Sequence, residues 1–474
     1  MFIRQVEDES LAQYAYLLGC LQTGEAVLVD PERDVDRYLD LAARHGFRIA
    51  AVAETHIHAD FLSGARELAA RTPGINVYLS DGGDRDWKYS WPARDGVSAV
   101  LLRDGDTFEI GRLEIRAWHT PGHTPEHLTF VVTDRGAGAT APLGILSGDF
   151  VFAGDVGRPD LLESAAGIAG MMEPSARRLF ASTRQFLELP DFLQVWPGHG
   201  AGSACGKALG AVPVTTVGYE RRFSPAIAAT NQGEQAFVRF VLADQPDPPL
   251  YFARMKTLNR DGPPLLGQLP GPRRLSLQDL PPLLRRRDVQ IVDTERERRT
   301  FLAAHVPGAF YAPDDKTFPT VIGSLLDPDG PLVLLIDEAD LEAAVRQLVR
   351  IGYDRIEGWM PRPLVEELRG IGVEPATIAS IDFEELERRG GRGAVTVLDV
   401  RTSPEHAADH IEGALNLPHT RLRSRLREIP THRPVFVHCA LGGRAAVSAA
   451  LLDREGIPVV HVEGGYRKIS SRAR

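Results

Sequence analysis

The chain is poor in cysteine and has no long apolar run. Its 474 residues include three cysteines, Cys20, Cys205 and Cys439, and such a sparse, odd set excludes a disulfide framework and fits a reducing compartment. No apolar stretch approaches the roughly 18 residues that a membrane span requires. The acidic N-terminus lacks the apolar region of a signal or transit peptide. We therefore expect a cytoplasmic protein without a membrane partner.

Clusters of basic charge are also missing. The formal net charge is −10, and residues of both signs are spread along the chain, so the sequence predicts no nucleic-acid partner. The hydrophobic and charged fractions, 43% and 25%, are those of an ordinary globular protein. A chain of this length is too long for one core, and we expect two to four domains.

Strand and helix patterns alternate over the first half of the chain, and we predict one α/β domain over residues 1–245. Proline then becomes frequent, with nine prolines between residues 246 and 282. Because proline cannot donate a backbone hydrogen bond, residues 246–271 are predicted to be an extended surface linker.

An internal repeat follows this linker. Residues 289–313 match residues 395–418, and each copy contains a His-x-x-Gly-Ala motif at an offset of 105 residues. Both copies run from a strand pattern through a charged turn into a helix pattern. The repeat predicts two further α/β domains, over residues 272–372 and 376–474.

Metal-type side chains lie at several predicted strand ends in the first domain, each close to glycine or proline or directly after a buried strand. Six of them follow in chain order: His56, His58, Asp60, His123, Asp149 and His199. Imidazoles and carboxylates together suit zinc, iron or manganese. Phe61 stands where a two-metal site of this type would have another histidine, and a phenyl ring cannot bind a metal. The pattern therefore predicts a single metal ion.

This ordered set resembles the metallo-β-lactamase fold, an αββα sandwich that holds metal at one edge of its sheets. Within that superfamily, the phrases at 54–60, 121–125 and 148–160 look most like those of the persulfide dioxygenases. The whole fold class implied is α/β, with this sandwich followed by two α/β rhodanese-like domains.

The resemblance also implies roles for the metal-type residues. One Fe(II) per chain would be held by His56, His123 and Asp149, a two-His-one-carboxylate face that leaves positions open for O2 and substrate. The remaining three would orient the ligands and the substrate through hydrogen bonds; they are His58, Asp60 and His199.

Three other residues are candidates for substrate binding. Arg158 would hold an anionic group of the substrate, and a structural salt bridge is the equal alternative. Cys205 lies six residues after His199 in a glycine-rich segment, so it is either close to the substrate or a small buried apolar residue. Tyr219 is the weakest of the three candidates.

Cys439 opens the sequence Cys-Ala-Leu-Gly-Gly-Arg between a predicted buried strand and a helix. Backbone N–H groups of a glycine-bearing loop at a helix N-terminus stabilise a thiolate, and Arg444 would attract sulfur oxyanions. With its neighbouring motifs, this loop resembles that of a rhodanese domain. The resemblance implies that Cys439 carries sulfur and that Gly442, Gly443 and Arg444 complete its catalytic loop.

The middle copy of the repeat has no cysteine at the matching place. Residues 336–340 read Ile-Asp-Glu-Ala-Asp, and their carboxylates would repel the anions that a rhodanese loop binds. We predict that residues 272–372 form a degenerate rhodanese copy without catalytic activity.

Taken together, the chain resembles three-domain fusions of a persulfide dioxygenase with a sulfurtransferase. That resemblance implies oxidation of a persulfide of glutathione or coenzyme A by O2 to sulfite, with transfer of sulfur through Cys439 to or from sulfite and thiosulfate. It also implies a homo-oligomer. Two alternatives are left open: a dizinc thioester hydrolase of the glyoxalase II type, and a sulfur-carrier protein with a vestigial metal site.

Overall fold

A computed structural model describes residues 1–165, 167, 169–389 and 395–466. The chain divides into a first unit, residues 1–269 with 349–352, and a second unit that contains the rest. The predicted domain 376–474 therefore extends beyond the described residues, because 390–394 and 467–474 lie outside them. None of the described helices has the length and apolar character that crossing a bilayer requires.

The first unit is built on two six-stranded sheets. The first sheet contains, in spatial order, β1 (Phe2–Asp8), β2 (Gln13–Gly19), β3 (Glu25–Val29), β4 (Arg48–Ala53), β5 (Asn76–Ser80) and β6 (Ala99–Leu102). The second sheet contains, in chain order, β7 (Thr107–Ile110), β8 (Leu113–His119), β9 (Leu128–Asp134), β10 (Gly144–Gly148), β11 (Gln194–Pro197) and β12 (Thr215–Thr216).

Strand direction differs between the two sheets. In the first, β1 to β3 are antiparallel and β3 to β6 run parallel. In the second, only the β10–β11 pair is parallel. Parallel neighbours such as β3 and β4 end at the same sheet edge, and the loops that follow them are therefore brought together.

Helices lie between or after these strands in the chain. They are α1 (Asp36–Arg44), α2 (Ala65–Arg71), α3 (Trp91–Asp95), α4 (Leu161–Ser164), α5 (Met172–Phe186), α6 (Val217–Phe223), α7 (Pro225–Asn231), α8 (Glu234–Leu242) and α9 (Phe252–Asp261), with 3-10 turns at Arg85–Trp87 and Arg135–Ala137.

The order of layers follows from the alternation of side chains along the strands. Leu18 and Val27 point into a core shared with Ile115 and Phe130 of the second sheet. Their neighbours on the other face of the first sheet pack with residues of α1 and α2, and the outer face of the second sheet packs with α5, α7 and α8. The predicted αββα sandwich is confirmed.

The helix α9 corrects the prediction of an extended linker over 246–271. Residues 252–261 contain no proline, and their sequence, FARMKTLNRD, is rich in helix-forming residues. The prolines that suggested an extended chain lie on both sides of the helix, where they limit its length.

The second unit contains two five-stranded sheets. The elements of the first are β13 (Arg273–Arg274), α10 (Leu280–Leu284), β14 (Gln290–Asp293), α11 (Arg298–Ala303), β15 (Phe310–Tyr311), α12 (Phe318–Leu325), β16 (Leu332–Leu335), α13 (Leu341–Arg350), β17 (Ile356–Met360) and α14 (Val365–Gly370), with a 3-10 turn at Leu277–Asp279. Those of the second are β18 (Ala379–Asp382), α15 (Phe383–Arg389), β19 (Thr396–Asp399), α16 (Ser403–Ala408), β20 (Leu415–Asn416), β21 (Val435–His438), α17 (Gly443–Arg454) and β22 (Val459–Glu463), with a 3-10 helix at Leu422–Glu428.

The two sheets of this unit share one topology. The first has the order β13-β17-β16-β14-β15 and the second the order β18-β22-β21-β19-β20. Every described pair of neighbouring strands in both is parallel. The internal repeat seen in the sequence is therefore a repeat of structure, as predicted.

Candidate metal centre and thiol loop

The loop after β4 carries His56, and its neighbours fix the protonation of that ring. Thr55 Oγ1 lies 2.8 Å from Asp30 Oδ2, to which it donates, and 2.9 Å from His56 Nδ1. Since the hydroxyl has a single hydrogen, it must accept from the Nδ1–H of His56. The other ring nitrogen, Nε2, is then left with its lone pair.

Two further histidines show the same arrangement. His123 Nδ1 donates to the carbonyl of Arg158 at 3.0 Å, and His199 Nδ1 donates to the carbonyl of Ala12 at 3.1 Å. Burial lowers the pKa of His123 to about 4 and also lowers the pKa of His199, so both rings are neutral near pH 7. Their Nε2 atoms therefore also present lone pairs.

These three lone pairs face the carboxylate of Asp149. Asp149 Oδ2 lies 3.9 Å from Nε2 of His56 and 3.5 Å from Nε2 of His123, and Oδ1 lies 3.4 Å from Nε2 of His199. Both carboxylate oxygens and His56 Nε2 are buried without a hydrogen-bond partner among the described residues. Lone pairs that face a carboxylate repel one another unless a cation lies between them. This donor set therefore fits a metal ion, with His56, His123 and Asp149 as one compact group.

The backbone around Asp149 is held rigidly. Its N–H donates to His127 Nε2 at 3.0 Å, and His127 Nδ1 in turn donates to Thr120 Oγ1 at 2.9 Å. Gly148 has a φ of +48°, and a Cβ there would lie 2.6 Å from Thr55 Oγ1, so no other residue fits. Burial raises the pKa of Asp149 to about 6. His127 is a positioning residue that sequence reasoning missed.

His58 takes a different part from His56. Its Nε2 lies 3.3 Å from Asp30 Oδ1 and 3.2 Å from Glu54 Oε2, in a buried ion-pair group. Burial disfavours a charge on this ring, but the two carboxylates outweigh that effect and raise the pKa of His58 well above its usual value. A protonated imidazole cannot bind a metal. His58, Asp30 and Glu54 also form a compact group of ligand-type atoms, and the assignment of His58 to a supporting role stays a prediction.

Phe61 lies close to His58. Its ring is fully buried and its centroid is 4.3 Å from the centroid of the His58 ring. The side chain thus fills space beside the metal centre with apolar contact, as the single-metal prediction assumed.

A second group of ligand-type atoms nevertheless lies next to the first. Asp60, His199 and Cys205 each offer one ligand atom within 4.8 Å of the others, and His199 Nε2 is 3.3 Å from Asp60 Oδ2. Burial and the carboxylates of Asp60 and Asp149 raise the pKa of Cys205 well above its usual value. The structure therefore places Cys205 at the centre, and it adds a donor that the argument from Phe61 did not count.

The loop from His58 to Ser63 is held in place by a residue that no sequence motif marks. Asn259, on α9, donates from Nδ2 to the carbonyls of His58 and Phe61, both at 2.8 Å, and its Oδ1 accepts from the N–H of Ser63 at 2.9 Å. The side chain is buried. Both N–H groups of this amide and one lone pair of its oxygen are thereby used to hold the loop.

Arg158 and Tyr219 are placed less favourably for substrate. The Arg158 guanidinium is buried, with Nε and Nη2 donating to the two carboxylate oxygens of Asp160 at 2.8 and 2.7 Å. This geometry favours the salt bridge over the predicted substrate contact, while the backbone carbonyl of Arg158 orients His123. Tyr219 lies on α6, 55% exposed, and its ring contacts Phe223.

In the second unit, the loop after β21 holds a buried thiol. Cys439 Sγ accepts a hydrogen bond from the N–H of Gly442 at 3.1 Å. Gly442 has a φ of +95° and immediately precedes α17, which begins at Gly443. The thiol therefore lies at a helix N-terminus, where an anion is stabilised, as the sequence predicted.

Charged and polar side chains support this loop. Arg444 donates to both carboxylate oxygens of Glu405, at 2.7 and 2.8 Å, and interacts with the Cys439 thiol. His461 Nε2 donates to the carbonyl of Gly442 at 3.0 Å, and its Nδ1 accepts from Ser380 Oγ at 2.9 Å. His461 and Glu405 are positioning residues that sequence reasoning did not select.

The corresponding loop of the first sheet has none of these features. It joins β16 to α13 through Ile336, Asp337, Glu338, Ala339 and Asp340. Arg296, not a thiol, lies 3.2 Å from Asp340. This half has the topology of its neighbour without the sulfur nucleophile.

Known proteins are similar to both parts of the chain. Residues 10–199 match the family model of the metallo-beta-lactamase superfamily, and residues 382–472 match that of the rhodanese-like domain. A metallo-beta-lactamase structure from Staphylococcus aureus subsp. aureus COL is 36% identical, with a TM-score of 0.68, over 77% of this chain and 99% of its own. The chain belongs to the metallo-β-lactamase superfamily.

Curated relatives refine where the metallo-β-lactamase domain stands within that superfamily. The mitochondrial persulfide dioxygenase ETHE1 of Bos taurus is 27% identical over 231 residues, which is 48% of this chain and 76% of that protein. A hydroxyacylglutathione hydrolase of a Synechocystis strain is 30% identical over 186 residues, or 39% of this chain and 63% of the hydrolase. The chain thus combines a metallo-β-lactamase domain homologous to persulfide dioxygenases with a rhodanese-like domain, as the sequence predicted.

Proposed function

We propose that this protein is a mononuclear iron persulfide dioxygenase with a sulfurtransferase activity at Cys439. Its substrates would be O2, water and a persulfide of glutathione or coenzyme A, and its products would be sulfite, with its third oxygen from water, and the free thiol. The observation that carries the proposal is that the two neighbouring histidines, His56 and His58, have different hydrogen-bonding surroundings. His56 directs a lone pair at Asp149, whereas the His58 ring faces the carboxylates of Asp30 and Glu54, which raise its pKa well above the usual value.

Of the three neutral imidazoles that face Asp149, we assign His56 and His123 as ligands because both approach Oδ2 of Asp149, whereas His199 approaches Oδ1 and Asp60. His56, His123 and Asp149 would hold one Fe(II) on one side and leave other coordination positions free. When bound there, Fe(II) supplies the redox chemistry that joins O2 to a sulfur anion. The chain itself fixes the tautomers of the ligands, through Thr55 and the carbonyl of Arg158, and all three ligands are buried.

The thiol loop would handle the sulfur products. In the forward direction, Cys439 attacks the outer sulfur of thiosulfate, the S–S bond breaks, and sulfite leaves with the bonding electron pair. A thiolate attacking the Cys439 persulfide then regenerates Cys439. Run backwards, the same steps convert sulfite to thiosulfate. Gly442 N–H stabilises the Cys439 anion in both directions.

Metal analysis combined with O2 uptake tests the dioxygenase. The purified chain is expected to contain one iron and to consume O2 with glutathione persulfide or coenzyme A persulfide, producing sulfite. A protein with two zinc ions per chain that cleaves glutathione thioesters and takes up no O2 would overturn the proposal. An iron-loaded protein inert toward both persulfides would instead support a sulfur carrier.

A dizinc thioester hydrolase is the second candidate, because Asp60, His199 and Cys205 form another donor group beside the first. The similarity to a hydroxyacylglutathione hydrolase also supports this candidate. Cys205→Ser separates the two: if this group holds a metal, the content falls from two ions per chain to one. For a mononuclear centre, we expect one ion per chain in both the variant and the wild type.

A further inference from the structure

The cysteine-free half of the second unit reaches the thiol loop of the other half through one arginine. Arg298 is the first residue of α11, and its guanidinium lies against Gly442. A Cβ placed on Gly442 would be 3.2 Å from Arg298 Nε and 3.3 Å from Nη2. The guanidinium also interacts electrostatically with Cys439. A cation from the degenerate copy therefore borders the loop that carries the nucleophile.

A carboxylate of the rhodanese-like half fixes this guanidinium. Arg298 donates from Nη2 to Glu463 Oε1 at 2.7 Å and from Nε to Oε2 at 3.2 Å. Glu463 belongs to the same strand, β22, as His461, which holds the carbonyl of Gly442. The arginine and the loop are thus positioned by one strand, and the hydrogen bonds from Arg298 to Glu463 use its Nε and Nη2 atoms.

The local charge is positive. Glu463 is shared by Arg298 and by Arg299, whose Nη2 lies 3.2 Å from Oε1, so two guanidiniums are offset by one carboxylate. Arg444, on the other side of the thiol, is offset by Glu405. A net positive charge beside a buried thiol attracts an anionic substrate through its negatively charged oxygens.

We propose that Arg298 is a specificity-determining residue of the Cys439 site, which binds the oxygens of a sulfur oxyanion such as thiosulfate or sulfite. The cysteine-free domain would then complete the substrate pocket of its neighbour. This inference rests on the proposed sulfurtransferase function. It assigns to the degenerate copy a role that needs no cysteine, since it contributes charge and not a nucleophile.

Arg298→Gln and Arg299→Gln form a matched pair for testing this proposal. Each substitution removes one positively charged partner of Glu463. The Arg299 side chain is 77% exposed, whereas that of Arg298 is 33% exposed. Only the first substitution removes the cation that borders Gly442. Arg298→Lys keeps the charge and loses the fork of N–H donors.

The first measurement is sulfur transfer from thiosulfate to cyanide by the full-length, metal-loaded chain. For Arg298→Gln we expect KM for thiosulfate to rise about fivefold to tenfold with a smaller change in kcat, as for loss of one charge-assisted hydrogen bond of a partly exposed group. Arg298→Lys should recover part of this loss. Arg299→Gln should change KM by less than about twofold.

The second measurement does not depend on turnover. The rate of Cys439 alkylation is compared for anionic iodoacetate and neutral iodoacetamide, with the Cys439 peptide quantified by mass spectrometry. The ratio of the alkylation rate with iodoacetate to that with iodoacetamide should fall in Arg298→Gln and stay unchanged in Arg299→Gln. Equal ratios and equal KM values in the two variants would overturn the role of Arg298. If the wild-type chain shows no sulfur transfer but Arg298→Gln still lowers the ratio of the two alkylation rates, the proposed transfer is refuted while the anion site is supported.

Discussion

The metal centre of the first unit and the thiol loop of the second differ in where their polar atoms find partners. At the metal centre, His56 Nε2 and both oxygens of Asp149 are buried and unpartnered. At the thiol loop, Cys439 accepts from Gly442, and Arg444 is held by Glu405. One site is complete only with a cation, and the other is preformed by the chain. Metal loading should therefore govern the stability of the first and leave the second unchanged.

The most severe test of this contrast is Asp149→Ala. The substitution removes the only carboxylate of the proposed ligand set, and we expect loss of bound iron and of O2 uptake, with sulfur transfer at Cys439 retained. Iron content, O2 consumption and thiosulfate–cyanide transfer are measured on the same preparation. Loss of both activities would show that the two sites are not independent.

Cys439→Ser is the reciprocal change. Serine has no sulfur atom and cannot form a persulfide. Sulfur transfer should therefore become undetectable, while O2 uptake and iron content match those of the wild type. Thiosulfate–cyanide transfer is the decisive measurement here. A variant that still transfers sulfur at the original rate would remove Cys439 from the mechanism.

Chelation sharpens the comparison without a mutation. When the free metal concentration is a hundred times the dissociation constant, metal binding stabilises the folded state by about 2.7 kcal/mol. Removing the metal leaves the lone pairs of the histidines and of Asp149 facing one another without a cation between them. Amide hydrogen exchange of peptides containing His123 and Asp149 should accelerate after chelation, whereas peptides of β21 and α17 should be unaffected. Equal acceleration in both regions would contradict the contrast.

Asn259→Ala tests the clamp on the metal loop and is expected to have the smallest effect. The loop from His58 to Ser63 would lose three hydrogen bonds, and iron affinity should fall about tenfold, the lower end for residues that support metal ligands. Thr257→Ala, at an exposed position on the same helix, is the matched control. Competition with a chelator gives both affinities, and equal values would show that Asn259 does not support the centre.

Much of this architecture could be predicted because it is encoded locally or by repetition. Buried strands such as β4 and β10 are visible in sequence as short apolar runs, and the strands of the two rhodanese-like sheets recur at nearly constant spacing. The glycines beside Asp149 and Cys439 likewise mark positions where the backbone turns and a side chain is presented. These features depend on neighbours in the chain.

The parts that could not be predicted depend on distant contacts. Asn259 holds groups 196 to 201 residues earlier in the chain, and no local pattern marks it. Whether His58 binds a metal depends on Asp30, which adopts a φ of +51° at the end of β3 and turns its carboxylate toward Thr55 and His58. Periodicity says nothing about which way such a ring faces. The sequence could not decide between a salt bridge and a substrate contact for Arg158, since both need the same residue type.

The position of Asn259 has a practical consequence for dissecting the protein. A fragment cut after α8 would end where the sandwich ends, yet it would leave behind the amide that ties down the His58–Ser63 segment. A fragment carried through Asp261 keeps it. The stretch that looks in sequence like a dispensable linker thus supports the metal loop, and any exchange of modules between related genes that separates the two would weaken metal binding.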